Sequence, residues 1–322
     1  MQKISRRNFI KKSVYTGSSM VASQIMGLGK TFAASEKFNI NVGYLPITDH
    51  LILPISHALD NKNFHYINVH PYLCKSWDEI LAKLDMGVFD AAFMLAPLAM
   101  HKVKSAAPMK CLLFGHTNGS VIAAKKTITD FRGLDGKSVG IPHSKSTHRV
   151  LLYKYFKDKG VLDKIKIRLV KVPPPLIIKN LKLGVLDAYA VAEPWGVRGV
   201  TEGVTNILEF SKNIIPDHAC CIVMVKNRVV EKHPAALSEW VKSLNNAGRI
   251  IHDDPEQAGL IQKPYMHLSP ADVIKVINDD VISYRNLYPD EKKLEVISEL
   301  AFECGILAEQ CDCKQFINNS FV

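Results

Sequence analysis

Apolar positions along this chain follow two spacings in alternation. Compact apolar runs cover Phe38 to Tyr44, Tyr66 to Leu73, Phe89 to Leu95, Met109 to Phe114 and Val121 to Ala124. Others cover Ser138 to Ile141, Ile165 to Val172, Leu186 to Ala192 and Asn206 to Phe210. Runs this short predict buried strands. Between them apolar residues recur at helical spacing. They predict helices over Leu51 to Leu59, Trp77 to Asp85 with Ser76 as N-cap, His148 to Lys159 and Leu176 to Leu183. DHACCIVMV, from Asp217, reads as a strand crossing back. From Pro234 the pattern turns helical through LSEWVKSLNNAGRII, PADVIKVINDDVISY and EKKLEVISELAFECGI. Alternating strands and helices predict an α/β fold with mostly parallel sheets. Two crossing segments, Gly115–Ala124 and Ile215–Val223, would join its halves as a hinge.

The halves share a pattern. LDMGVFDAAFMLAP begins at Leu84 and LKLGVLDAYAVAEP at Leu181, with Leu, Gly, Val, Asp, Ala and Pro at matching places. At the same offset, Val42-Gly43 of NVGYLP matches Val139-Gly140 of SVGIPH. Two matches at one offset predict two related α/β lobes. The predicted layout is a leader over 1–35, lobe 1 over 36–122, lobe 2 over 123–216, and a return to lobe 1 with C-terminal helices over 217–322.

Composition narrows the class. The 322 residues are 47% hydrophobic, enough to bury two cores, and no apolar run reaches membrane-spanning length. SRRNFIKKS, with Arg6 and Arg7, precedes a weakly apolar stretch and TFAAS. This resembles a twin-arginine export signal, which implies passage through the twin-arginine translocase to the periplasm. The net charge is +10, but six cations (Lys3, Arg6, Arg7, Lys11, Lys12, Lys30) precede the first acid, Glu36. Without the leader +4 remains, too little to favour nucleic acid. The seven cysteines (Cys74, Cys111, Cys220, Cys221, Cys304, Cys311, Cys313) lack zinc-finger spacing. They read as buried thiols, with a disulfide among the last three left open. No metal site and no cofactor is expected.

VPPPLIIKNLKLGVLDAYAVAEPW (Val172 to Trp195), VGYLPITDH and VVEKHPAALSEWV together resemble the nitrate-, bicarbonate-, sulfonate- and taurine-binding proteins of ABC importers. The resemblance covers most of the chain after the leader. It implies the two-lobed periplasmic-binding-protein type 2 fold, closure of a two-strand hinge on a small anionic or polar solute, and an ABC permease in the inner membrane as partner. At two places the chain departs from the nitrate-binding pattern. A lysine follows the Asp-His pair in those proteins, whereas Ala219, Cys220 and Cys221 follow Asp217-His218 here. Ser146 stands where they carry a His, with His143 and His148 nearby.

Ligands of open α/β sheets bind at the carboxyl ends of strands. That rule selects Thr48 and Asp49 after the first strand, Ala96 and Pro97 after the third, and Glu193 and Trp195 at the matching place in lobe 2. HSKST opens a helix with Ser144, Ser146, Thr147 and His148, hydroxyls and N–H groups suited to a small oxyanion or to a plain N-cap. Trp77 would wall the pocket, and Asn118 and His218 would sit on the crossings. No Gly-rich phosphate loop, Ser-His-Asp set or spaced metal set appears, so no catalytic residue is assigned. The alternatives are an enzyme on the same fold, thiamine-pyrimidine synthase-like or desulfinase-like, or a solute-sensing subunit.

Overall fold

One packing unit, used twice, sets the architecture of the computed structural model. The structure describes residues 36–103 and 108–321; the predicted leader lies outside them. The strands are β1 (Phe38–Tyr44), β2 (Ile67–Leu73), β3 (Ala91–Leu95), β4 (Met109–Phe114), β5 (Thr117–Asn118), β6 (Ser120–Lys125), β7 (Ser138–Ile141), β8 (Arg168–Lys171), β9 (Ala188–Ala192), β10 (Thr205–Phe210), β11 (Cys221–Lys226) and β12 (Ile282–Ser283). The helices are α1 (Ile52–Asp60), α2 (Trp77–Asp85), α3 (Ala96–Lys102), α4 (Thr147–Asp158), α5 (Ile177–Lys182), α6 (Trp195–Thr201), α7 (Ser211–Ile214), α8 (Asn227–Lys232), α9 (Pro234–Asp253), α10 (Pro255–Met266), α11 (Pro270–Asn278), α12 (Glu291–Glu303) and α13 (Cys313–Phe316). Among the described residues no helix is long and apolar enough to cross a membrane.

The repeat in the sequence is a repeat of contacts. In β1, Val42 pairs with Ala91 of β3; in β7, Val139 pairs with Ala188 of β9. The Asp90 carboxylate accepts the Asn41 N–H at 3.2 Å, and the Asp187 carboxylate accepts the Ser138 N–H at 3.1 Å. A Cβ on Gly43 would lie 2.5 Å from the Phe89 ring, and one on Gly140 would lie 2.6 Å from Leu186. Each glycine therefore makes room for the large apolar side chain of the GVFD or GVLD turn. Gly87 and Gly184, which start those turns, have φ of +78° and +75°, open to glycine at little cost.

The sheets run β2-β1-β3-β11-β4 and β10-β6-β9-β7-β8. As expected the sheets are mostly parallel: in each, four strands run one way and one runs against them. β11 is antiparallel to both its neighbours, and so is β6 to its own, so each sheet is mixed. The reason lies in the crossings: β6 and β11 are the strands that arrive from the opposite lobe, and each enters against the local direction. The two crossings touch at Thr117 and Ala219, which form an antiparallel bridge.

Other departures have local causes. Ala96-Pro97 and Pro194-Trp195 end strands as expected, but each also opens a helix, α3 and α6. Pro97 sits in the first turn of α3, whose N–H groups lack partners anyway, and Pro194 is the N-cap residue of α6. The same signal at Pro255 opens α10, which the periodicity did not isolate. Pro270 to Tyr284 is not one helix. Asp280 turns to φ +51°, and Ile282–Ser283 then pairs with β5 at the first crossing. Finally, α12 packs on α3 of one lobe and α4 of the other.

Gly43→Ala tests the packing unit. The Phe89 ring is fully buried and cannot swing clear, so overpacking should cost about 1–3 kcal/mol. A urea titration should show a lower midpoint at unchanged slope.

Candidate functional site

The segment after β1, the two crossings and the start of α4 deliver polar side chains to one sealed place. Asp49, His50, His116, Cys220 and Cys221 are 0% exposed, and His148 and His218 are 1% exposed. Asp49 Oδ2 lies 3.0 Å from His116 Nε2, and the Cys221 thiol donates to that oxygen at 3.4 Å. The Cys221 N–H points at the same His116 Nε2 at 3.3 Å. One ring nitrogen cannot donate to a carboxylate and accept from an amide together. Ser120 Oγ joins the group, 3.1 Å from His148 Nε2 and 3.7 Å from Cys220 Sγ.

Several atoms of this group have no protein partner. They are Asp49 Oδ1, His116 Nδ1, His148 Nδ1, His218 Nε2 and His50 Nε2. Their protonation follows from the bonds opposite. The Leu45 N–H donates to His50 Nδ1 at 2.8 Å, so His50 carries its proton on Nε2. His218 Nδ1 donates to the Ile215 carbonyl at 2.7 Å. Trp77 stands edge-on to His50 at 5.5 Å, with its indole N–H also unpartnered.

Burial shapes the charges. It pushes the Asp49 carboxyl up to about 6, with His116 pulling the other way. Burial works against the His116 imidazolium too, but Asp49 and Cys220 together outweigh it and raise the group to about 10. His148 is pushed down to about 4 by burial and stays neutral. Burial also opposes a Cys220 thiolate, yet Cys221, His116 and His218 hold it well below the ordinary thiol range. Cys221 is pushed up, first by burial and then by Cys220.

The residues selected from the sequence divide between this group and its frame. Asp49, His148 and His218 belong to the group. Thr48, Ala96 and Thr147 close it: Thr48 donates its N–H and its hydroxyl to the Glu193 carbonyl, both at 2.9 Å, across the lobes. Ala96 N–H and Thr147 Oγ1 both donate to the Cys220 carbonyl, at 2.9 and 3.1 Å. Pro97 is buried in the first turn of α3. Ser146 is the N-cap of α4, accepting the Arg149 N–H at 3.2 Å, and Ser144 is exposed. Asn118 shapes the crossing, with φ +62° and its Oδ1 accepting the Asp217 N–H. Trp195 is held by its own lobe, under Arg198 and beside a groove lined by Pro175 and Ile178. The Glu193 carboxylate folds onto α6 and accepts the Val197 N–H at 2.9 Å; a Cβ on Gly196 would strike that carboxylate and Val121.

His50, His116, Cys220 and Cys221 were not selected. The signal for three of them was present: GHTNGS and DHACC each place His or Cys on a crossing. Cys220 and Cys221 are both thiols outside any disulfide.

A model of the NMT1-like family matches residues 33–263. Among curated relatives, the nitrate import ATP-binding protein NrtC of Synechocystis is 27% identical over 68% of this chain and 36% of its own. The nitrate/nitrite binding protein NrtA of Nostoc is 21% identical over 74% of this chain and 61% of its own. The chain thus spans about a third of the length of the first curated relatives it matches. Among solved structures, a ligand-binding component of an ABC-type import system from Staphylococcus aureus, with zinc bound, superposes with a TM-score of 0.80 at 24% identity, over 88% of this chain and 98% of that one. The periplasmic nitrate-binding protein NrtA of Synechocystis gives 0.78 at 17%, over 87% and 85%. These likenesses show the two-lobed periplasmic-binding-protein fold.

Glu193 generates a pH prediction. Its carboxyl is raised to about 7, chiefly by burial. A raised acid contributes stability in full below its unfolded value near 4.5, and that contribution is lost as pH rises through about 7. Glu193→Gln keeps the acceptor for Val197 but cannot ionise. Its unfolding free energy should vary less between those pH values, by on the order of 1–3 kcal/mol relative to the parent, read by urea titration at each pH.

Proposed function

The chain belongs to the NMT1-like family, and from that premise we propose that it is the exported solute-binding protein of an ABC importer. Its lobes close on one small anionic or polar solute and present the closed form to an inner-membrane permease. One observation carries this reading: a sealed polar group lies where both crossings meet both lobes, with donors and acceptors left unpartnered. Buried polar atoms are mostly satisfied within a protein, and six that are not gather in this group, on Asp49, His50, Trp77, His116, His148 and His218. Solute-facing candidates are Trp77 Nε1, His50 Nε2, His148 Nδ1 and His218 Nε2. The frame of Thr48, Thr147, Ala96 and Glu193 would hold the lobes shut around them.

Support for the class comes from the relatives, named as nitrate and nitrite binding proteins, and from the sulfonate-binding neighbours of the same fold. The Asp217-His218-Ala219-Cys220-Cys221 segment departs from the nitrate pattern, so nitrate is one solute to test among several. Export would follow the twin-arginine route to the periplasm, read from Arg6 and Arg7.

Four measurements check the reading. A thermal-shift screen with nitrate, nitrite, bicarbonate, sulfonates and pyrimidines should raise the melting temperature for one class; at 100 times its Kd a ligand stabilises by about 2.7 kcal/mol. That solute should come off the denatured complex unchanged, whereas a converted product would favour the enzyme alternatives. Binding should also change tryptophan fluorescence, and Trp77→Phe should lose most of that change. Lys at both Arg6 and Arg7 should leave the protein in the cytoplasm, and its export by the general secretory route would refute the twin-arginine assignment.

A further inference from the structure

Four donor atoms in the sealed group converge as metal ligands do. They come from Asp49, His116, Cys220 and Cys221, one oxygen, one nitrogen and two sulfurs, all within 4.8 Å of one another. A tetrahedral zinc ion with bonds of about 2.0–2.3 Å has ligand–ligand edges of about 3.3–3.8 Å. Two edges are already near that length: 3.0 Å from His116 Nε2 to Asp49 Oδ2, and 3.4 Å from that oxygen to Cys221 Sγ.

The close approach of His116 Nε2 and Asp49 Oδ2, at 3.0 Å, points the same way. The nitrogen faces a carboxylate oxygen and a backbone N–H at once, and a proton on it serves only one of them. A cation between Nε2 and Oδ2 would replace that proton, drawing on one lone pair from each atom, and the Cys221 N–H would stay without this acceptor in either case. Asp49 Oδ1, fully buried, has no protein partner and is available as a second carboxylate contact. Buried ionisable groups of this density are otherwise costly unless they are paired or bind metal.

We propose that Asp49, His116, Cys220 and Cys221 form a binding site for a zinc-class divalent ion. Two thiolates with an imidazole and a carboxylate select a borderline ion of that class over magnesium or calcium, which prefer all-oxygen sites. The sequence spacing concealed the set because its members come from three separate segments. Asp49 follows β1, His116 lies on the first crossing, and the adjacent Cys220 and Cys221 lie on the second. The ion would therefore tie both crossings to the first lobe, with His148 and Ser120 of the second lobe beside it. The proposal goes beyond the solute-binding reading and stands whether or not the chain serves a transporter.

Titration of the reduced full-length chain with Co2+ tests it. One equivalent should produce thiolate-to-cobalt charge transfer and the intense visible bands of a tetrahedral site, and Zn2+ should abolish both. Cys220→Ser and Cys221→Ser should each lose most of the charge transfer, and Asp49→Asn should shift the visible bands. Because those variants are fully buried, a second protein guards against misfolding: Cys304→Ser/Cys311→Ser/Cys313→Ser, which leaves the four ligands intact, should keep the full signal. A parent chain with no charge transfer, or a signal lost in the triple variant, would overturn the site. Neither outcome bears on the anion screen, so failure here and failure of the solute-binding reading are separable.

Discussion

The carbonyl of Cys220 is the point on which both lobes bear. It accepts from Ala96 N–H on one side and from the Thr147 hydroxyl on the other. A second bond pair, from Thr48 to the Glu193 carbonyl, lies across the same seam. Buried bonds of this kind contribute about 0.5–1.5 kcal/mol each, but leaving a buried carbonyl without a donor costs about 1–3 kcal/mol. Opening the lobes must therefore hydrate every one of these groups in the same step. Whatever binds shifts the balance only by the difference in its affinity for the closed and open forms. The hydroxyls of Thr48 and Thr147 are already engaged with carbonyls, which leaves ring nitrogens, thiols and a carboxylate to meet a ligand.

Much of the fold was legible because it was written twice. Gly43 with Phe89 and Gly140 with Leu186 are the same steric solution, and Asp90 and Asp187 secure the same strand start. Such solutions leave fixed residue types at fixed offsets, so the repeat emerged from the letters alone. Strand direction left no such mark. β6 and β11 have the apolar composition of their neighbours, and only the path of the crossings makes them antiparallel. The helices α3 and α6 were hidden for a different reason: a proline that stops a strand also starts a helix, and local pattern does not separate the two roles.

The site was legible by halves. Thr48, Asp49, Ala96 and Glu193 followed from the rule for strand ends, and Thr147 and His148 from the start of α4. Yet the hydroxyl of Thr147 proved to clasp a backbone carbonyl, and Ser146 to cap its own helix, roles that residue type cannot distinguish from anion binding. His116 and the two cysteines were invisible as a set because nothing along the chain relates residue 49 to residue 116 or 221. Their meeting depends on the two crossings bridging at Thr117 and Ala219, a contact of tertiary origin.

The place of β11 has a consequence for the order in which the molecule can be made. The second sheet uses β6 to β10, all contained in residues 120–210, so its strands are complete once that span has left the ribosome. The first sheet needs β11 between β3 and β4, and β11 is not finished until Lys226. During that interval β3 and β4 each offer an unpaired edge, the kind of surface that recruits foreign strands. The nascent chain is thus half folded and half adhesive for as long as the intervening lobe takes to emerge. Any factor that shields it would have to cover those two edges first.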